Sequence, residues 1–263
     1  MFLCLPDQAA REAASWVTNP RTCVIDASTA HRVDPAWVFG LPELMPRQRN
    51  DLRHGKRISN PGCHSTAFIL LIRPLVDAGL LDAHAALSAT SISGYSGGGR
   101  KLIEQYQASP TAGHLASPRP YGLSLTHKHV PEMTRWSGLG TRPVFMPIVA
   151  NFYKGLTVSV PLHMSVLSKA ADARRLHEVL SERYADERFV KTMPLSDTAA
   201  LDAGYFDVQA CNDTNRCELF VFASADQAIL LARLDNLGKG ASGAAVQSMN
   251  VHLGLDEGLG LVA

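Results

Sequence analysis

At 263 residues, with hydrophobic residues at 46% and charged residues at 19%, the chain has the composition of a soluble globular protein and not of a disordered one. Its length favours one large or two modest domains. A formal charge of +1, from 25 basic and 24 acidic residues with neither sign gathered into a long run, calls for neither nucleic acid nor a membrane surface as partner. The longest strictly apolar run, Ala67–Ile72, is far below the ~20 residues that a bilayer-crossing helix needs. Met1–Leu5 has neither the basic start nor the length of a signal peptide, so a cytoplasmic protein is expected. Five cysteines (Cys4, Cys23, Cys63, Cys211 and Cys217), with no Cys-x-x-Cys pair, read as reduced thiols.

In chain order, an apolar start at Phe2–Leu5, a helix over Asp7–Val17 and a short buried strand at Cys23–Ile25 suggest a parallel sheet. A weak strand at Arg57–Ser59 precedes the turn Asn60-Pro61-Gly62, and a helix is predicted from Cys63 to Ala78, closed by Gly79. Next come a strand at Leu87–Ile92, the glycine cluster Gly94–Gly99, a short helix through Tyr106 and a loop over Ala108–Arg119. A helix near Pro131–Trp136, strands at Val144–Val149 and Leu156–Leu162, a helix at Asp172–Tyr184 and strands at Glu218–Phe222 and Ala228–Leu234 follow. The short links between these later strands predict a mixed or antiparallel sheet. A last helix is placed at Ala241–Leu253. The fold class is therefore α/β and α+β: an incomplete Rossmann-like parallel-sheet domain beside a mixed or antiparallel one.

The segment Asn60-Pro61-Gly62-Cys63-His64-Ser65-Thr66 carries the most information. A thiol reacts as its thiolate, and the free N–H groups and dipole of a helix N-terminus stabilise that anion. A single cysteine is more often a small buried hydrophobe. A core cysteine, however, gains nothing from polar neighbours on both sides, so Cys63 is read as an ionised nucleophile at a helix mouth.

Asn60-Pro61-Gly62-Cys63, Ser93-Gly94-Tyr95-Ser96-Gly97-Gly98-Gly99-Arg100-Lys101 and His127-Lys128-His129-Val130-Pro131-Glu132-Met133 occur in the order and spacing of N-acetyl-γ-glutamyl-phosphate reductases, which the chain resembles. Asp26-Ala27-Ser28-Thr29-Ala30-His31-Arg32 is similar to a loop of the shorter, type 2 form, and Asn236-Leu237-Gly238-Lys239-Gly240-Ala241-Ser242-Gly243 to its C-terminal motif. Where the family has Tyr-Pro-Thr after the cysteine, this chain has His64-Ser65-Thr66. Set against the family, the opening strand and the glycine-rich turn that cradle the pyrophosphate are missing. The resemblance thus implies a partial dinucleotide-binding domain, residues 1–62 together with 240–263, and a catalytic and dimerisation domain over 63–239 of a homo-oligomer.

What the resemblance implies chemically is NADPH-dependent reductive dephosphorylation of a small acyl phosphate, N-acetyl-γ-glutamyl phosphate, to the semialdehyde in arginine biosynthesis. Cys63 would form the thioester, and His127 or His129 would move the proton. In an extended segment positions i and i+2 share a face, which would aim both rings at one pocket with Lys128 turned away. A neutral imidazole can accept the thiol proton and return it. Glu132 could orient one ring, and Tyr121 lines the pocket by resemblance. Anionic substrate groups suit Arg32 and Arg100, with Ser28 as a hydroxyl donor and Asn60 beside the nucleophile. A His-x-His pair can also serve zinc, but no further donor stands at a predictable spacing, so no metal is expected.

Ser93, Gly94, Ser96 and Gly97 lie between a strand and a helix, where exposed N–H groups form an anion nest. The resemblance assigns them to NADP(H), with Asn236 and Gly240. Gly238-Lys239-Gly240-Ala241-Ser242-Gly243 is a literal Gly-x-Gly-x-x-Gly, yet only about twenty residues follow, short of the ~30-residue strand-helix-strand unit of a Rossmann fingerprint. It is read instead as the turn and helix that pack back on the dinucleotide domain. Two alternatives stand beside the reductase: an inactive truncated homologue with an oligomeric or structural role, and a Cys/His hydrolase.

Overall fold

In a computed structural model of the chain, residues 1–108, 113–168 and 171–263 are described. Short apolar segments at the start of the chain pair first. β1 (Phe2–Leu3), β2 (Val24–Asp26), β3 (Val38–Phe39) and β4 (Arg57–Ser59) form an all-parallel sheet in the order β1-β2-β4-β3. Two helices connect them, α1 (Asp7–Trp16), whose Ala10 and Ala14 turn inward, and α2 (Gln48–His54). Neither β3 nor α2 is evident in the sequence, because two residues of strand and seven of helix carry no readable period.

α3 (Cys63–Asp77) is apolar around most of its circumference and is buried accordingly, from His64 through Ile72. It lies against the second sheet, built from β5 (Ser88–Gly94), β6 (Arg119–Pro120), β7 (Val144–Ala150), β8 (Leu156–His163), β9 (Val190–Thr192), β12 (Cys217–Ala223) and β13 (Gln227–Leu234). The spatial order is β6-β7-β5-β8-β13-β12-β9, and β10 (Leu201–Asp202) and β11 (Tyr205–Phe206) form a separate hairpin between β9 and β12 in sequence. The sheet is mixed: β8, β13 and β12 run as an antiparallel meander, whereas β5–β7 and β9–β12 are parallel pairs. Its inner face joins α3, α6 (Val130–Ser137) and α7 (Ala173–Arg183) in one core that includes Phe68, Leu71, Met133, Val158, Leu176, Leu219 and Leu230.

Alternation along the strands leaves an outer face that is also apolar, with Val144 (55% exposed), Met146 (39%) and Ile229 (44%). After β5 the chain makes a 3-10 turn at Tyr95–Gly98 and enters α4 (Arg100–Ala108). The loop expected over 108–119 is partly structured: Gly113–Ala116 forms one helical turn, α5, and Arg119–Pro120 pairs with the sheet edge, while residues 109–112 of it lie outside the described residues.

The final helix starts later than expected. Gly238–Ser242 is a π-helical turn, and α8 runs over Gly243–Leu253. The turn is pinned by Lys239, whose buried Nζ donates to Glu43 Oε1 (2.7 Å) and Gln247 Oε1 (2.6 Å). α8 then returns to the parallel sheet, where Ala245 and Val251 share a small core with Ile25, Leu52 and Ile58. Cys4, Ala27 and Asn60, each immediately after the carboxyl end of a parallel strand, open into one cleft of about 1090 Å³. This is where open α/β sheets place their ligands.

Candidate active site

Cys63 opens α3, with Gly62 in extended conformation as the residue before the first turn. Gly62 N–H donates to Glu132 Oε2 (3.1 Å), and Arg32 Nη1 donates to Glu132 Oε1 (2.7 Å), so a carboxylate from α6 ties the helix mouth to the loop after β2. Asn60 Nδ2 donates to Ala241 O (2.9 Å), which fixes the other flank. Gly240 passes so close that a Cβ there would stand 2.7 Å from Cys63 Cβ, and only glycine permits that approach. The sulfur is thus at a helix N-terminus, as expected, but it is not held as a thiolate. Burial pushes the Cys63 thiol up to about 11, against the pull of the Arg32 guanidinium and the main-chain amides of His64 and Cys63. Desolvation of the anion outweighs the helix-end dipoles here, although Cys63 is only partly buried and lines the cleft.

Three imidazoles gather beside it. One donor atom each from Cys63, His64 and His129 lies within 4.8 Å of the others. The His127 ring meets His129 edge-on at 4.9 Å between centroids and His64 at 5.6 Å. The two predicted histidines do converge, though by a different geometry. His129 is the helical residue leading into α6, not part of an extended run, and its N–H donates to His127 Nδ1 (3.2 Å). Lys128, expected to turn away, lines the cleft as well. All three rings are held neutral. Burial, then His127 and Lys128, bring His64 down to about 3; burial and Lys128 bring His127 to about 4; burial, then Arg32 and the neighbouring His64, His127 and Lys128, hold His129 well below its usual range.

His64 gave no sequence signal beyond its place after the cysteine, yet it sits in the middle of the site. Ser91 Oγ donates to Thr157 O (2.8 Å) and therefore accepts from His64 Nδ1 (2.8 Å), leaving His64 Nε2 to accept from Tyr121 O–H (3.1 Å). Burial, and next Cys63, raise the Tyr121 phenol above its ordinary range.

Of the other residues singled out from sequence, Arg32, Asn60, Tyr121, Ser93, Gly94, Ser96, Gly97, Asn236 and Gly240 line the cleft, and Ser28 and Glu132 do not. Ser28 Oγ donates to Asp26 Oδ2 (2.7 Å) in a closed turn that also holds His31, so its hydroxyl serves the loop. Glu132 lies 4.0 Å from His129 Nε2 and spends its oxygens on Arg32 and Gly62, so it anchors the helix mouth more than it orients a ring. Arg100 is on the surface of α4, paired with Glu104. Arg119, missed in the sequence because it ends the stretch read there as a loop, stands on β6 and lines the cleft. Arg32 and Arg119 each keep a buried Nε–H with no acceptor among the described residues. Asn236 links β13 to the glycine loop, its Nδ2 donating to Ser96 Oγ (2.9 Å) and its Oδ1 accepting from Gly155 N–H (2.8 Å).

Residues 1–52 match the semialdehyde dehydrogenase NAD-binding domain family, and residues 63–236 match the semialdehyde dehydrogenase dimerisation domain family. The N-acetyl-gamma-glutamyl-phosphate reductase of Burkholderia orbicola (strain MC0-3) is 46% identical over 255 residues, which cover 96% of this chain and 81% of the relative. The chain belongs to the N-acetyl-γ-glutamyl-phosphate reductase family. Within that family, N-acetyl-gamma-glutamyl-phosphate reductase 2 of Nostoc sp. (strain PCC 7120 / SAG 25.82 / UTEX 2576) is 44% identical over 267 residues, covering 99% of this chain and 83% of its own. Among solved structures, aspartate semialdehyde dehydrogenase II from Vibrio cholerae shares the fold at a TM-score of 0.74 and 17% identity, over 96% of this chain and 78% of that one. Both domain types that the α/β and α+β reading called for are thus present in this member of the reductase family, and a nicotinamide cofactor goes with them.

Proposed function

We propose that the chain catalyses the NADPH-dependent reductive dephosphorylation of N-acetyl-γ-glutamyl phosphate to the semialdehyde in arginine biosynthesis, with Cys63 as nucleophile and His129 as acid and base. The observation that carries the reading is the convergence of a cysteine sulfur and buried neutral imidazoles within 4.8 Å, at the floor of a cleft fed by the ends of parallel strands. His129 is preferred to His127 because it alone of the two belongs to that group and packs against Gly62 at the helix mouth.

The thiol is protonated at rest, so attack must be coupled to loss of its proton. As Sγ bonds the acyl carbon, neutral His129 takes the proton, the C–O bond to phosphate breaks, and a thioester on Cys63 remains. Negative charge on the bound substrate favours the imidazolium formed in this step. The unpaired Nε–H groups of Arg32 and Arg119, with Lys128 at the rim, suit the carboxylate and phosphate of such a substrate.

The cleft fits a nicotinamide cofactor. A Cβ on Gly97 would project into the cleft, meeting among the described residues only Asn236 Nδ2 at 3.7 Å and Ser93 Oγ at 4.0 Å, so this loop leaves a cradle for a ligand. Ser93, Gly94, Ser96, Gly97, Asn236 and Gly240 would hold the reactive end, residues 1–62 with 240–263 forming the dinucleotide side and 63–239 the catalytic side. When bound, the cofactor supplies the hydride that takes the thioester to the aldehyde level. His129 then returns its proton to the sulfur as the C–S bond opens. The apolar outer face around Val144, Met146 and Ile229 is the surface proposed for homo-oligomer contact.

The test runs the reaction backwards: semialdehyde, inorganic phosphate and NADP are mixed with the chain and NADPH absorbance is followed. Phosphate-dependent NADPH formation supports the proposal. A folded sample that forms none, with NADP or NAD, removes it and leaves the oligomeric structural role. Cofactor-independent release of phosphate from the acyl phosphate would favour the hydrolase.

A further inference from the structure

We propose that Cys63, His64 and His129 also form a binding site for one soft divalent cation of the zinc class, which masks the nucleophile reversibly. His-x-His gave no complete ligand set in the sequence, because no further donor stands at a regular spacing. Of that pair only His129 joins the group, and the fold supplies its two partners, Cys63 and His64, from the start of α3. The donor atoms lie within 4.8 Å of one another, and in a tetrahedral zinc site they would stand ~3.5 Å apart, so closure requires a contraction of about 1 Å shared by three side chains.

Two features go beyond proximity. Metal-bound histidine characteristically donates its remote ring N–H to a fixed acceptor, which sets the tautomer and aims the other nitrogen. His64 already has that support: Ser91, committed as donor to Thr157 O, can only accept from His64 Nδ1, and Nε2 is left with its lone pair. What that lone pair meets now is Tyr121 O–H at 3.1 Å, on a residue that lines the cleft and is 36% exposed, and a metal would have to displace that contact. The second feature is His129 Nδ1, buried and without a hydrogen-bond partner among the described residues, on a residue 5% exposed. A buried imidazole with an unspent nitrogen is uncommon unless something else engages it.

One thiolate and two imidazoles select zinc over magnesium or calcium, which prefer oxygen. A fourth position, toward the cleft, is open for water. On binding, the thiol proton is released to solvent and Sγ bonds the metal; no electrons are transferred. The Arg32 guanidinium near the sulfur opposes the cation and the Glu132 carboxylate favours it, which suits a reversible mask more than a permanent structural ion. This site does not depend on which acyl phosphate the enzyme reduces.

The test is an anaerobic titration of the reduced full chain with cobalt(II), read by its thiolate-to-metal charge-transfer band, together with zinc competition against a chromophoric chelator. One ion per chain is expected at micromolar metal, with the band lost in Cys63→Ser and affinity weakened about tenfold or more in His64→Asn and, separately, in His129→Asn, each checked for native circular dichroism. Enzyme activity should fall in step with occupancy and return on adding EDTA. A band that persists in Cys63→Ser, unchanged affinity in both histidine variants, or no saturable binding would each overturn the proposal.

Discussion

Replacing Glu132 with glutamine should do two opposite things, and their combination is a signature that few other substitutions would produce. Glu132 is 1% exposed and accepts from both Arg32 Nη1 and Gly62 N–H. The amide can still accept one of those bonds, but the buried guanidinium loses its counter-charge. Removing one partner of a buried pair costs ~3–5 kcal/mol, so a loss of about 3 kcal/mol in unfolding free energy is expected, small enough to leave a domain of ordinary stability folded. At the same time the carboxylate is one of the charges that raise the Cys63 thiol, while Arg32 lowers it. With Glu132 neutralised, Arg32 acts unopposed, and the thiol must titrate below its wild-type position near 11. Urea unfolding gives the first quantity; the pH dependence of Cys63 alkylation by iodoacetamide gives the second. A variant with wild-type stability, or one whose thiol titrates higher than wild type, would refute this account of the helix mouth.

Cys63→Ser should retain the far-ultraviolet circular dichroism of the parent and lose at least about a thousandfold in turnover, because a hydroxyl beside a weakly basic imidazole is a poor nucleophile at neutral pH. Gly240→Ala forces a Cβ to within 2.7 Å of Cys63 Cβ, so ~1–3 kcal/mol of stability should be lost, together with activity out of proportion to that loss, as measured by urea unfolding and the NADPH assay. The protein should also weaken in acid above the range of ordinary carboxylates. The His127 ring is depressed from 6.5 to about 4 in the fold, so the unfolded chain takes up the proton first: the contribution is fully present above pH 6.5 and is lost as pH falls toward 4. Allowing for its partial exposure, His127 alone accounts for on the order of 2 kcal/mol, and His64 and His129 act in the same direction. Denaturation at pH 7, 5.5 and 4.5 checks the sign.

The elements that the sequence made legible are those long enough to show a period or a hard stop. α3 announces itself by the apolar run Ala67–Ile72 behind a Pro-Gly turn, and β8, β12 and β13 by seven or eight residues of strand-forming side chains. β3, β6 and β9 are two or three residues long and are strands only because a neighbour pairs with them. The parallel pairing of β5 with β7 is likewise invisible locally, since the chain must pass through α4 and α6 before the strands meet. At the site, Cys63 and the two histidines were legible as motifs, but their state was not. The helix mouth suggested an ionised sulfur, while burial, which no local pattern encodes, sets it as a thiol. His64 became visible only when β5 brought Ser91 to its ring. Ser28 looked like a donor to substrate because nothing in the sequence says that Asp26 will claim its hydroxyl.

The central claim is that one sulfur carries the acyl group. Mixing the chain with N-acetyl-γ-glutamyl phosphate in the absence of nicotinamide cofactor, quenching in acid and mapping the adduct by mass spectrometry addresses it directly. The account predicts one N-acetylglutamyl thioester per chain, on the peptide carrying Cys63, and none in Cys63→Ser. Turnover of the substrate with no adduct, or an adduct on any other residue, would contradict it.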